Sequence, residues 1–178
     1  MQASARLIGF VGANSKALRF LVLFAVIFGV CYFLFGIAPG VRNGLIKPYT
    51  ELLARTVTGI VNVFGAGAST LGTLVQSPRS SLNIAMGCDG VEASCLFLAG
   101  VLAFPTGWRA KLIGLAFGVP LIQLINLLRL VALFYAGVYF PSAAEEIHVY
   151  VAQTVVILLS TAILIFWLER FAVQHRHT

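Results

Sequence analysis

FLVLFAVIFGVCYFLFGI, running from Phe20 to Ile37, is 18 residues without a charge, and Arg6, Lys16 and Arg19 stand before it. A bilayer core of about 30 Å takes roughly 20 apolar residues in a helix. This run is longer than the apolar part of a typical cleaved leader, and no A-x-A site follows it, so a retained signal-anchor helix is expected over about 18–37. Three more runs share its character. One starts near Cys88 and reaches Trp108 (span 89–108), with Asp89 and Glu92 confined to its start. The next occupies 112–140, with Arg129 the one charge inside it. The last, 143–168, contains 20 uncharged residues from Val149 to Leu168 and is followed by Glu169 and Arg170.

Composition agrees with these runs: 60% of the 178 residues are hydrophobic and 10% are charged, with a mean hydropathy of +0.96. The expected fold is an all-α polytopic membrane protein, a single membrane-embedded domain over 1–178 with about four transmembrane helices. A net charge of +6 does not make the chain a nucleic-acid binder, because its Lys and Arg residues stand at the ends of apolar runs and form no stripe on a polar helix. Their distribution sets topology instead. With the N-terminus inside, Arg6, Lys16, Arg19, Arg109, Lys111, Arg170 and Arg176 are cytoplasmic, and Glu51, Asp89, Glu92, Glu145 and Glu146 lie outside. Both termini are then cytoplasmic, and the long outer segment is 38–87.

Within that segment Leu45, Tyr49, Leu52, Leu53, Val57, Ile60, Val61 and Phe64 recur at helical spacing, while Lys47, Glu51 and Arg55 stack on the other face. This pattern predicts an amphipathic helix on the outer membrane surface. Beyond Gly65-Ala66-Gly67, the stretches Thr70–Gln76 and Leu82–Met86 flank Ser77-Pro78-Arg79-Ser80, which has turn chemistry, so a short β-hairpin is expected to lead into Cys88.

Helix starts carry the chemistry. Asp89-Gly-Val-Glu92 and Ser142-Ala-Ala-Glu145 both fit an N-cap followed by an acid three residues on. Cys88 would then precede one outer helix N-terminus, and His148 would sit in the second turn of another. A helix N-terminus favours thiolate over thiol and neutral imidazole over imidazolium, the forms required of a nucleophile and a base. The Asp89 carboxylate opposes the thiolate. Arg129, 17 residues from Leu112, falls about 25 Å along its helix, in the outer leaflet. Asn126 lies one turn earlier on the same side. An intramembrane charge must face protein, water or a partner.

Each of these residues has a plainer reading. Cysteines in membrane helices are usually small apolar fillers, which suits Cys31 and Cys95; Arg129 can snorkel to the interface; His148 can be an ordinary interfacial residue; His175 and His177 suit a solvated tail. The common depth of Cys88, Arg129 and His148 is what singles them out as a catalytic set, with Asn126, Asp89 and Glu145 supporting. Two other classes stay open. One is a thiol-disulfide relay through Cys88 and Cys95, although seven residues on one helix is about two turns, too far to bridge without unwinding. The other is a non-enzymatic scaffold or transport subunit with Arg129 as an ion site.

Taken in order, Gly87-Cys88-Asp89-Gly90-Val91-Glu92-Ala93, Phe104-Pro105, Asn126-Leu-Leu-Arg129-Leu130 and His148 resemble the exosortase/archaeosortase family of polytopic membrane cysteine transpeptidase-like enzymes, most of all its short exosortase H branch. The likeness covers roughly 69–153. Many members have Ser or Asn where this chain has Asp89, and a Gly several residues after the His where it has Gln153 and Thr154. The resemblance implies that Cys88, Arg129 and His148 are catalytic: the thiolate attacks a scissile carbonyl, Arg129 steadies the oxyanion or the substrate backbone, and His148 protonates the leaving amine. It further implies substrates exported across the plasma (inner) membrane that end in a sorting motif, one membrane helix and a basic tail, processed on the periplasmic or extracytoplasmic side. Water, or an amine on a lipid or glycan, would be the acceptor. No cofactor or metal is expected, and no nucleic acid; the partners are those exported proteins and the lipid bilayer.

Overall fold

A computed structural model describes residues 15–142 and 153–172. Helix α1 (Ser15–Tyr32) continues through a π-helical turn to Ile37. After a one-turn helix α2 (Pro39–Val41) and a second π-helical turn come α3 (Lys47–Val63) and the strands β1 (Ser69–Leu71), β2 (Leu74–Gln76) and β3 (Ser81–Asn83). Helices α4 (Val91–Ala103), α5 (Trp108–Tyr139) and α6 (Gln153–Trp167, with a π-helical turn to Ala172) complete the described chain. The fold is helical with a small sheet, as expected. Among the described residues, three helical stretches, Ser15–Ile37, Trp108–Tyr139 and Gln153–Phe171, are long and apolar enough to cross a membrane.

The expected second span is shorter than the sequence suggested. Helix α4 has 13 residues, a rise of about 20 Å against a core of about 30 Å. Both its limits have backbone causes. Gly90 precedes it at φ 76°, and Phe104, held extended at ψ 133° by the ring of Pro105, ends it.

The helix predicted in the outer segment forms, but its buried side is Thr50, Ala54, Val57, Thr58 and Val61. Leu45, Leu52 and Phe64 of the predicted apolar face are exposed. Small residues win that side because α3 packs on protein: Ala54, Val57 and Val61 join Val75, Leu82 and Ile84 of the sheet region and Leu130, Leu133 and Phe134 of α5 in one core. The Thr58 and Thr70 hydroxyls bond at 2.6 Å, and Asn62 closes the loop after the helix by two bonds to the backbone of Ala68.

The predicted hairpin is a three-stranded antiparallel sheet in the order β1-β2-β3. Its first predicted strand folds back at Gly72-Thr73, where Gly72 takes φ 61°, a conformation that costs a side chain-bearing residue about 1–2 kcal/mol. Leu71 therefore pairs with Leu74, and Leu74 with Asn83. The turn at Ser77–Ser80 forms as expected, with Ser77 N–H donating to the Ser80 carbonyl at 2.8 Å.

A second core joins α4, α5 and α6 through Ala93, Phe97, Val101, Ala110, Ile122, Val156 and Trp167. Glycines let these helices approach: a Cβ on Gly118 would fall 2.2 Å from the Phe97 ring, and one on Gly114 would fall 2.4 Å from Trp167. Small residues at such crossings are the usual device where lipid offers no hydrophobic drive between helices. Trp167 Nε1 donates to the Ala110 carbonyl at 2.9 Å, closing α6 onto the start of α5.

Candidate active site

Cys88 and Asp89 lie in the turn between the sheet and α4, and Asn126 and Arg129 lie three residues apart on α5. All four are buried, at 7%, 2%, 0% and 8% exposure respectively, so polar chemistry has been drawn into the core at one place. Arg129 is 21 residues into α5, about 32 Å from its start and so at the far edge of a 30 Å apolar core. From there one guanidinium nitrogen reaches Cys88 Sγ at 4.0 Å and another donates to Asn126 Oδ1 at 3.3 Å. Asn126 Nδ2 in turn donates to the Cys88 carbonyl at 3.0 Å. One amide thus positions both the backbone carrying the thiol and the cation facing it. The third guanidinium nitrogen, Arg129 Nε, is buried without a hydrogen-bond partner among the described residues.

The cap expected at Asp89 forms with a small shift: its carboxylate accepts the Val91 N–H at 3.0 Å, and Gly90 is the residue that leads into the helix. Gly90 has two reasons to be glycine. Its φ is 76°, and a Cβ there would stand 2.8 Å from Gln123 Oε1 and 3.0 Å from the Asn126 amide. Cys88 carries a thiol pushed above its ordinary range by burial, drawn down by the Arg129 cation and pushed up again by Asp89. Burial is the largest of these influences, and Arg129 is the group that opposes it most. Asp89 is itself raised by burial and held down in part by its bond to Val91.

Sequence reasoning missed a clamp around this turn. Tyr49 of α3, read as part of an apolar face, shares its hydroxyl between Gln123 Oε1 at 2.5 Å and the Asp89 carbonyl at 3.2 Å. Burial and the nearby Asp89 push the Tyr49 phenol up to about 12, which keeps it a donor. Gln123 Nε2 donates to the Gly90 carbonyl at 3.2 Å and to Ser94 Oγ at 2.9 Å. The signal available was Gln123 itself, an uncharged polar residue one turn before Asn126 in an apolar helix. His148 and Glu145 lie outside the described residues. Cys95 has the Cys31 thiol of α1 as its side-chain partner.

A cavity of about 450 Å³ opens beside the turn, bordered by Ala85, Met86 and Asp89 on either side of Cys88 in the chain and by Arg42, Lys47 and Thr73. Helices fit to cross a membrane, with a cysteine, an arginine and an amide buried together beside the start of α4, define a polytopic membrane protein built around a thiol–guanidinium pair. A family profile described as Transmembrane exosortase (Exosortase_EpsH) matches residues 4–167, and the chain belongs to that family. No curated protein and no solved structure matches it.

Proposed function

We propose that the chain is a cysteine peptidase or transpeptidase that removes the C-terminal sorting signal of exported proteins at the outer face of the plasma membrane. The observation that carries this reading is the Arg129 guanidinium held 4.0 Å from the buried Cys88 sulfur while its Nε has no partner among the described residues. A buried donor without a partner costs about 1–3 kcal/mol, and an incoming carbonyl oxygen would relieve that cost as it becomes an oxyanion.

In the proposed reaction the Cys88 thiolate attacks the scissile carbonyl carbon, and the oxyanion forms against Arg129. The C–N bond then breaks, and His148 gives its proton to the leaving amine. The thioester left on Cys88 is attacked by water or by an amine acceptor, which restores the thiol. A raised resting thiol supports a nucleophile that is deprotonated as substrate enters, with His148 as the base. Family membership and the charge pattern support an active site on the outer side with both termini cytoplasmic. The cavity beside Asp89 supports entry of an extended segment from the outer face.

The test is processing of an exported protein that ends in a short motif, one apolar helix and a basic tail, encoded in the same genome. Cys88→Ala, Arg129→Ala and His148→Ala should each abolish removal of the tail while the enzyme stays in the membrane, and Cys95→Ser should process normally. Loss of processing by Cys95→Ser as well would favour redox chemistry. Full processing by all four would favour a scaffold.

A further inference from the structure

The end of the helices remote from Cys88 holds a second cavity that this chemistry does not use. Its origin is the shortness of α4. Phe20 of α1 meets Phe104 edge-on at 6.1 Å, so the turn of α1 before Phe20, which carries Lys16 and Arg19, extends beyond the end of α4. The recess so formed is about 550 Å³, large enough for a phosphate headgroup. Lys16 and Arg19 of α1 and Lys111 of α5 line it over a floor that includes Phe20, Leu102 and Phe104, and among the described residues no Asp or Glu lines it.

Lys111 is placed there by the same broken helix. With Pro105 in the chain, Thr106 N–H turns to the Phe104 carbonyl, and the Leu102 carbonyl accepts from Lys111 Nζ at 2.6 Å instead. The ammonium also stands 5.4 Å from the Trp108 ring. An ammonium has three donors, so two remain after the bond to Leu102. Around the recess Leu18, Trp108 and Leu112 are exposed, which is the surface acyl chains would cover. Tryptophan at a helix end marks headgroup depth.

We infer that this recess binds the phosphate headgroup of an anionic phospholipid, its oxygens shared by Lys16, Arg19 and Lys111 and its chains lying along α1 and α5. Basic recesses between membrane helices recognise such headgroups by charge; the apolar floor and rim favour a lipid over free phosphate. The inference does not depend on the peptidase reading.

The full-length protein, reconstituted in phosphatidylcholine vesicles with and without phosphatidylglycerol, tests it by native mass spectrometry of the lipid retained. Phosphatidylglycerol should be retained in preference to phosphatidylcholine. K16Q/R19Q should bind it about 30-fold more weakly, the effect of withdrawing two cations from the headgroup itself. R109Q/R170Q, which removes the same charge from the same end at residues that do not line the recess, should bind it like the parent. Equal weakening in both double variants would mean diffuse attraction and overturn the site. So would a parent that shows no preference, or inorganic phosphate that displaces phosphatidylglycerol at equal concentration. Should K16Q/R19Q fail to accumulate, the parent's lipid preference and the phosphate competition decide the matter alone.

Discussion

Arg129→Lys separates a fork of donors from a mere positive charge. In the parent, one planar guanidinium serves Asn126 Oδ1 at 3.3 Å and Cys88 Sγ at 4.0 Å, and its Nε remains for a substrate oxygen. Lysine brings one nitrogen on a flexible stem, so it keeps the charge and at most part of this geometry. Losing one oxyanion donor typically costs about 100- to 1000-fold in rate, or about 3–4 kcal/mol of transition-state stabilisation. Processing by the Lys variant should fall by that factor, measured as the rate at which the tail of a co-expressed substrate disappears. The effect on the thiol should be small by comparison, because the nearby cation that draws Cys88 down is retained. Alkylation of Cys88 at fixed pH should therefore stay near the parental rate, and the variant should accumulate in the membrane like the parent. Near-parental processing would refute the donor role and leave Arg129 as an interfacial anchor. A parallel fall in alkylation and processing would mean that Arg129 acts only through the thiol.

Asp89→Asn and Arg129→Gln should move Cys88 reactivity in opposite directions. Removing the carboxylate that raises the thiol enlarges the thiolate fraction and shifts the alkylation profile to lower pH, removing the cation shifts it to higher pH, and a common direction would dispose of this electrostatic account. Gly90→Ala, which must hold φ 76° and place a Cβ 2.8 Å from Gln123 Oε1, should cost about 1–2 kcal/mol and depress processing. Gly29→Ala, with nothing within 4 Å, should be silent in the same assay. Gly118→Ala drives a Cβ to 2.2 Å from Phe97 and should lower thermal stability by about 1–3 kcal/mol; Phe97→Leu in the same chain should recover part of that loss. A membrane-impermeant maleimide added to intact cells should label Cys88, slowly because it is 7% exposed, and leave Cys31 unlabelled; labelling of Cys88 only after the cytoplasm is opened would reverse the proposed topology.

Apolar run length by itself determined that the chain is helical and membrane-embedded, and the i, i+3 spacing of Asn126 and Arg129 already put both on one side of α5, where they bond. The turn at Ser77–Ser80 and the cap at Asp89 were legible because their hydrogen bonds close within three residues. What only the tertiary structure decided depends on distant partners. Cys88 and Arg129 are 41 residues apart, and Tyr49 and Gln123 are 74 apart; no local pattern encodes such a meeting. The side of α3 that packs on protein was hidden for a related reason. An apolar stripe shows that a face avoids water, but lipid and protein are equally apolar, so hydropathy cannot say which of them covers it. The small residues Thr50, Ala54 and Thr58 mark the protein-facing side because they let α3 and its neighbours approach closely, and Leu52 and Phe64 are left exposed. The length of α4 was likewise hidden, since the apolar run continues to Trp108 while the ring of Pro105 ends the helix at Ala103. The recess lined by Lys16, Arg19 and Lys111 follows from that one local interruption and from the packing of α1 and α5 around it.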